Sequence, residues 1–226
     1  MSSLKINEIY TSIQGESSYA GLPCTFVRMS GCPLRCNWCD TAYAFDKGAE
    51  MSMEEIIADI KLRQVKLVEL TGGEPLAQKE SLELLDQLES QGFKTMIETG
   101  GSEPIEHVNR NTHIVMDLKC PDSKMSAHNL YSNLEFLKSS DEIKFVIASK
   151  EDYTWCKNQI AKYDLSKRFN VLLSTAFGLL KAQDLVEWML EDKLEARFQL
   201  QMHKYIWHPR TKGVSSWIRI NYICSV

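Results

Sequence analysis

The chain of 226 residues contains no run of eighteen apolar residues, which excludes a membrane-spanning helix of ordinary length. Its first ten residues, MSSLKINEIY, lack the apolar core of a secretion signal, so the expected compartment is a reducing cytoplasm. No charge of one sign dominates: 26 Lys and Arg against 30 Asp and Glu leave a net charge of −4, with the two signs interspersed. Such a balance offers no basic face to nucleic acid or to a membrane surface. Repeats, low-complexity tracts and linkers are also missing, and the 44% of hydrophobic residues can fill one sizeable core, so a single domain is expected. The seven cysteines are odd in number, which together with a reducing compartment argues against a disulfide framework. Cys24, Cys120, Cys156 and Cys224 are scattered and read as core or surface thiols.

What the chain does contain is alternation. Apolar, β-branched runs that read as strands occupy residues 24–29 (CTFVRM), 65–70 (VKLVEL), 94–98 (KTMIE), 113–118 (HIVMDL), 142–147 (EIKFVI) and 170–173 (NVLL). Helical patterns lie between them. The capping box Ser52-Met53-Glu54-Glu55 opens one ahead of IIADI, and others span 80–91, 127–137, 151–163 and 181–191. About six rounds of strand and helix predict an α/β fold with a parallel sheet and right-handed crossovers. A closed eight-stranded barrel needs two more βα units than the chain supplies, so the expected form is a partial, open (βα)6 barrel. An apolar run at 197–202 is a candidate edge strand. Polar residues gather after the strand ends, in Thr71-Gly72-Gly73-Glu74-Pro75, Glu98-Thr99-Gly100-Gly101 and Asp117-Leu118-Lys119. Ligands of parallel α/β folds bind at those carboxyl ends, which predicts a polar pocket on one rim.

On the same rim, after the first predicted strand, lies GCPLRCNWCDT (residues 31–41), with three cysteines spaced Cys32-x3-Cys36-x2-Cys39. A fourth ligand is lacking: the nearest histidine in sequence, His107, is far downstream and alone. Structural zinc wants a closed tetrahedron, which Asp40 could complete only as an uncommon Cys3Asp site. A 4Fe–4S cubane can be anchored by three thiolates and leave its fourth iron open to a small chelating ligand. The spacing favours the cluster over zinc.

The triplet, with aromatic Trp38 before the last cysteine, resembles the signature of the radical S-adenosylmethionine (SAM) superfamily, and Thr71-Gly72-Gly73-Glu74-Pro75 resembles its SAM-binding GGEP motif. Ser12-Ile13-Gln14-Gly15-Glu16, Phe26-Val27-Arg28, Cys39-Asp40-Thr41 and Gln201-Met202-His203-Lys204-Tyr205 are in addition similar to the 7-carboxy-7-deazaguanine synthases. Together these motifs run from about residue 8 to about residue 214. The resemblance implies a TIM-like open barrel of the radical SAM type. It also implies an enzyme of queuosine and 7-deazapurine biosynthesis, a carbon–nitrogen lyase that contracts the ring of 6-carboxy-5,6,7,8-tetrahydropterin to 7-carboxy-7-deazaguanine and releases ammonia. SAM would be reused rather than consumed.

Carried onto this chain, the resemblance makes Cys32, Cys36 and Cys39 the ligands of one 4Fe–4S cluster and Thr41 a magnesium ligand. Trp38, Asp40, Gly73, Glu74, Asp117, Leu118, Lys119 and Ser174 would contact SAM. Ile13, Gln14, Gly15, Arg28 and Thr71 would contact the pterin, Arg28 by a fork on its carboxylate and Gln14 by reading its amide. His203 and Lys204 would shape the pocket. A homodimer and a flavodoxin-like or ferredoxin-like electron donor are the implied partners. Asp117-Leu118-Lys119 departs from the more frequent S-P-K of these proteins, and residues 215–226 extend past their usual end as a tail, either an interface strand or an appended segment. Residues 1–214 thus make the expected domain. Two other readings stay open: a glycyl-radical activating enzyme, which needs a protein partner but not Gln14, Arg28 or Thr41, and a zinc module without catalysis.

Overall fold

A computed structural model describes residues 2–208; the tail and Cys224 lie outside the described residues. Nine strands form one sheet: β1 (Ser3–Ile13), β2 (Pro23–Met29), β3 (Ala49–Ser52), β4 (Leu67–Gly72), β5 (Lys94–Thr99), β6 (His113–Asp117), β7 (Glu142–Ile147), β8 (Asn170–Thr175) and β9 (Arg197–Phe198). Their order is β3-β1-β2-β4-β5-β6-β7-β8-β9, so the sheet has two ends and does not close. From β2 through β9 every pairing is parallel, while β1 runs antiparallel to both β2 and β3. The six long parallel strands coincide with the six predicted runs, and the open (βα)6 barrel is the architecture found.

Helices α1 (Met53–Leu62), α2 (Glu80–Ser90), α3 (Lys150–Lys162), α4 (Leu165–Arg168) and α5 (Ala182–Glu191) lie along the sheet, and the four-residue α6 (His203–Ile206) ends the described chain. The local reasons are plain in α1. Ser52 accepts from the Glu55 N–H while the Glu55 carboxylate accepts from Ser52 N–H, completing the capping box. Met53, Ile56, Ile57 and Ile60 then recur with helical period and bury against the sheet. Leu84, Leu85 and Leu88 do the same for α2. The main core therefore lies between helices and sheet. A second, smaller cluster of Cys24, Phe26, Leu67, Met96 and Val115, with Tyr10 and Tyr19, fills the inside of the barrel towards its amino-terminal end. That plug leaves the carboxyl-terminal half of the interior for polar side chains. Among the described residues, no helix is long and apolar enough to cross a membrane.

Two expectations change, and one element had not been anticipated. Residues 127–137 form two 3-10 turns, Ser126–His128 and Tyr131–Glu135, rather than a helix. Asn129 breaks the run because its side chain bonds both the N–H and the carbonyl of Lys119, and Asn133 likewise bonds Ile105 N–H and Glu103 carbonyl. The run at 197–202 shortens to β9, after which the chain turns into α6. The unanticipated element is the eleven-residue β1 itself; Leu4 and Ile6 bury on one face while Lys5 between them stays more open.

Candidate active site

The loop at residues 31–41 leaves β2 at the carboxyl end of the barrel, and its three thiols are reduced and half-buried. All three line one cavity of about 660 Å³. Arg35 folds back over this loop, its Nη1 donating to the carbonyls of Cys32 at 2.5 Å and Leu34 at 2.8 Å, with its guanidinium 4.2 Å from the Phe45 ring centre. Asn37 ties the other side of the loop to the Asp122 carbonyl. Burial pushes all three thiols up, Cys36 to about 11, while the part-buried Lys119 ammonium opposes the rise. Among the described residues, no three His, Cys, Asp or Glu side chains converge as the ligands of a single ion do. Three separate thiols facing one cavity beside a cation fit a cluster, which takes one thiolate per iron, better than a mononuclear zinc.

The TGGEP turn braces this loop from below. A Cβ at Gly73 would lie 1.7 Å from the Gly31 carbonyl oxygen, so only glycine lets the two backbones cross. At that crossing the Glu74 N–H donates to the same carbonyl at 2.8 Å. The Glu74 side chain is buried and turned inward, accepting from Leu76 N–H, the Thr99 hydroxyl and Gly100 N–H. Burial raises its pKa, and these three donors counter that rise.

Register sets what lines the barrel. Arg28 on β2 pairs with Thr71 on β4, and one inward step deeper Phe26 pairs with Glu69 and Glu69 with Met96. Arg28 is held by Glu8, 2.8 Å from its Nε, and by the Tyr10 hydroxyl, 2.7 Å from Nη2; its guanidinium also lies against the Tyr10 and Tyr43 rings. Gln14 is buried, with Nε2 donating to Glu69 Oε2 at 2.7 Å and Oε1 accepting from Glu16 N–H. Lys144 on β7 is buried among Glu98, which it bonds directly, Glu16 at 3.5 Å and Asp117 at 3.9 Å. Asp117 also takes Lys119 at 2.8 Å, leaving its Oδ1 buried without a protein partner.

The carboxyl-terminal motif closes one side. Met202 N–H donates to the Gly15 carbonyl, and a Cβ at Gly15 would lie 2.4 Å from His203 Nδ1, so the Gln-Gly-Glu turn and the His-Lys-Tyr segment are in direct contact. Lys204 reaches across to Asp40 in the cluster loop at 2.7 Å, and Thr41 Oγ1 donates to the same carboxylate at 3.0 Å. Burial pushes Asp40 up, but the Lys204 ammonium outweighs it and holds the carboxyl at about 2.

Of the residues named from sequence, Ile13, Gln14, Gly15, Arg28, Cys32, Cys36, Trp38, Cys39, Asp40, Thr41, Thr71, Gly73, Glu74, Asp117 and Lys119 line this cavity. Leu118 and Ser174 do not: Leu118 belongs to the main core and Ser174 is buried on β8, its hydroxyl without a protein partner. Glu69 and Lys144 also line the cavity and were not singled out from the sequence, while Glu98, read from sequence only as part of the polar rim, lines it too. Their signal was available: each is a charge inside a run that reads as a buried parallel strand, where apolar residues are the rule.

The family model of the radical SAM superfamily matches residues 26–128. A 7-carboxy-7-deazaguanine synthase of Koribacter versatilis is 43% identical, over 93% of this chain and 100% of that protein. One from Chlorobaculum tepidum is 42% identical, over 93% of this chain and 97% of its own. Among solved structures, QueE from Escherichia coli superposes with a TM-score of 0.74 at 26% identity, covering 89% of this chain and 95% of that one. By this similarity over nearly its whole length, the chain belongs to the 7-carboxy-7-deazaguanine synthase family of radical SAM enzymes.

Proposed function

We propose that the chain converts 6-carboxy-5,6,7,8-tetrahydropterin to 7-carboxy-7-deazaguanine and ammonia, a radical ring contraction in queuosine and 7-deazapurine biosynthesis. The observation that carries this reading is one cavity lined jointly by the cysteine triplet, the TGGEP turn and the guanidinium of Arg28. In this reading Cys32, Cys36 and Cys39 would hold the 4Fe–4S cluster, and Gly73, Glu74, Trp38, Asp40, Asp117 and Lys119 would hold SAM, with Leu118 and Ser174 supporting from behind the cavity wall. Bound together, cluster and SAM supply the single-electron chemistry that takes one hydrogen atom from the substrate and returns one.

The chain's own residues position and shield. Arg28, already oriented by Glu8 and Tyr10, offers its guanidinium to the substrate carboxylate. Thr71, one strand over in the same layer, and the turn Ile13-Gln14-Gly15 border the ring. Phe26 and Tyr10, stacked with ring centres 5.0 Å apart, give the cavity an apolar wall. Magnesium is assigned to Thr41, whose hydroxyl stands beside the Asp40 carboxylate; hard oxygens suit that ion. Water and stray hydrogen donors are kept out by the side chains of the His203–Lys204 segment. A homodimer, a flavodoxin-like or ferredoxin-like donor and a cytoplasmic location complete the proposal.

Incubating anaerobically iron-loaded protein with 6-carboxytetrahydropterin, SAM and a reductant tests it, with 7-carboxy-7-deazaguanine as the expected product by mass. SAM cleavage without any deazapurine would overturn the substrate assignment.

A further inference from the structure

We propose that Glu69 is the group that reads the amino and amide N–H edge of the pterin, with Gln14 acting through it as a positioning residue. This rests on the substrate reading above and adds the determinant of base-type selectivity.

The argument begins with elimination among the cavity carboxylates. Glu8 is paired with Arg28, Asp40 with Lys204, Asp117 with Lys119, and both Glu16 and Glu98 with Lys144. Glu74 is saturated by three protein donors. Glu69 alone among the cavity-lining carboxylates of the described residues has neither a cation within ion-pair distance nor a full set of donors. Its one side-chain partner is the Gln14 amide. Its other oxygen takes no protein donor and, unlike the enclosed Glu16 Oε1 and Asp117 Oδ1, is open to the cavity, where a ligand can supply one.

Position supports the same residue. Glu69 and Thr71 point the same way from β4, and side chains two residues apart on a strand stand roughly 6.6 Å apart. Thr71 pairs with Arg28. A fused bicycle with its carboxylate on Arg28 therefore extends one layer deeper, to Glu69, along the Phe26–Tyr10 wall. There the 2-amino group and the neighbouring ring N–H present two parallel donors, which the carboxylate accepts with both oxygens once binding displaces the proton that burial favours in the ligand-free protein. Gln14, its own amide committed to Glu69 and to Glu16 N–H, fixes the carboxylate plane rather than meeting the ring itself.

The test uses iron-loaded protein and two ligands that differ at this edge alone: 6-carboxypterin, and 6-carboxylumazine, in which a carbonyl oxygen replaces the 2-amino group. Calorimetry of the wild-type protein should show at least tenfold preference for the pterin. Glu69→Gln exchanges one acceptor for a donor and should abolish or invert that preference while iron content and SAM affinity stay at wild-type values. Gln14→Met, which keeps the carboxylate but frees its plane, should shrink the preference without inverting it. If Glu69→Gln retains the wild-type preference, the inference is overturned and the substrate reading stands. If the wild-type protein binds neither ligand, the substrate reading falls and takes this inference with it. Should Glu69→Gln lose iron or fail to fold, Gln14→Met decides: an unchanged preference there overturns the proposal.

Discussion

Two side chains in adjacent strands, Arg28 and Glu69, solve opposite electrostatic problems. Arg28 is partly buried yet kept charged, because Glu8 accepts from its Nε and Tyr10 from its Nη2. If Arg28 grips the substrate carboxylate as proposed, replacing it by alanine removes charge-assisted hydrogen bonds worth on the order of 1.5–3 kcal/mol. Substrate affinity should fall roughly tenfold to a hundredfold while SAM affinity holds. Arg28→Lys keeps the charge without the planar fork and should recover part of the loss. Titrating each variant with substrate and SAM separately distinguishes the two effects, and a selective loss of SAM affinity would contradict the assignment. Glu69 has no such cation, and burial followed by the nearby Glu98 pushes its carboxyl up to about 8, with Gln14 and Lys144 opposing. An ordinary glutamate in the unfolded chain titrates near pH 4.3. Between those values the folded protein retains a proton that the unfolded chain has released, so this group's stabilising contribution is present at low pH and is lost as pH rises towards 8. Urea unfolding at pH 5 and pH 9 should show the wild-type protein losing more stability than Glu69→Gln, by at least about 1.4 kcal/mol, the worth of a tenfold change in proton affinity. Equal losses would mean that Glu69 is ionised throughout.

At the scale of the element, the strand-to-loop crossing under the cluster is where the fold and the chemistry share the same atoms. Gly73→Ala puts a methyl carbon into the Gly31 carbonyl, and backbone cannot yield as a flexible side chain could. The variant should keep its strand and helix signal by circular dichroism and lose most of its iron, as should alanine at Cys32, Cys36 or Cys39. Cys156→Ala, a deletion in the core on α3, should cost some stability and leave iron content unchanged. Full iron in Gly73→Ala would show that the crossing does not set the loop. The elements differ in how plainly the sequence announces them. The six parallel strands were legible as apolar, β-branched runs between helical patterns, since burial on both faces writes a continuous signal. The cysteine loop and the TGGEP turn were legible because their spacing is local. Strand β1 was not, because most of its residues are only partly buried and its pairing with β2 and β3 is antiparallel. The helix expected at 127–137 failed for a related reason: Asn129 and Asn133 take their partners from distant segments, which no local pattern records. Glu69, Glu98 and Lys144 were visible as anomalies in strands, but their convergence is a property of how the open sheet curves.

For the molecule as a whole, the decisive contact joins the two ends of the described chain around the cavity. The Gly15 turn follows β1, His203 follows β9, and Lys204 extends from there to Asp40 in the cluster loop, so three distant segments meet at one wall. Lys204 is nearly buried, but the Asp40 side chain is 54% exposed, so the pair contributes on the order of 1 kcal/mol or less to folding. Its removal should therefore spare the fold and the cluster and act on the enclosure of the site. An enclosed site returns its hydrogen atom to the cofactor, and product should then exceed the 5′-deoxyadenosine formed. A site opened by Lys204→Met admits water and other hydrogen donors, so SAM should be cleaved without ring contraction. The measurement is the ratio of 5′-deoxyadenosine to deazapurine under single anaerobic conditions, well below one for the wild-type enzyme and several-fold higher for the variant, with equal iron content in both. A low ratio retained in Lys204→Met would show that this contact does not enclose the reaction. A ratio of one already in the wild-type enzyme would instead refute the catalytic reuse of SAM.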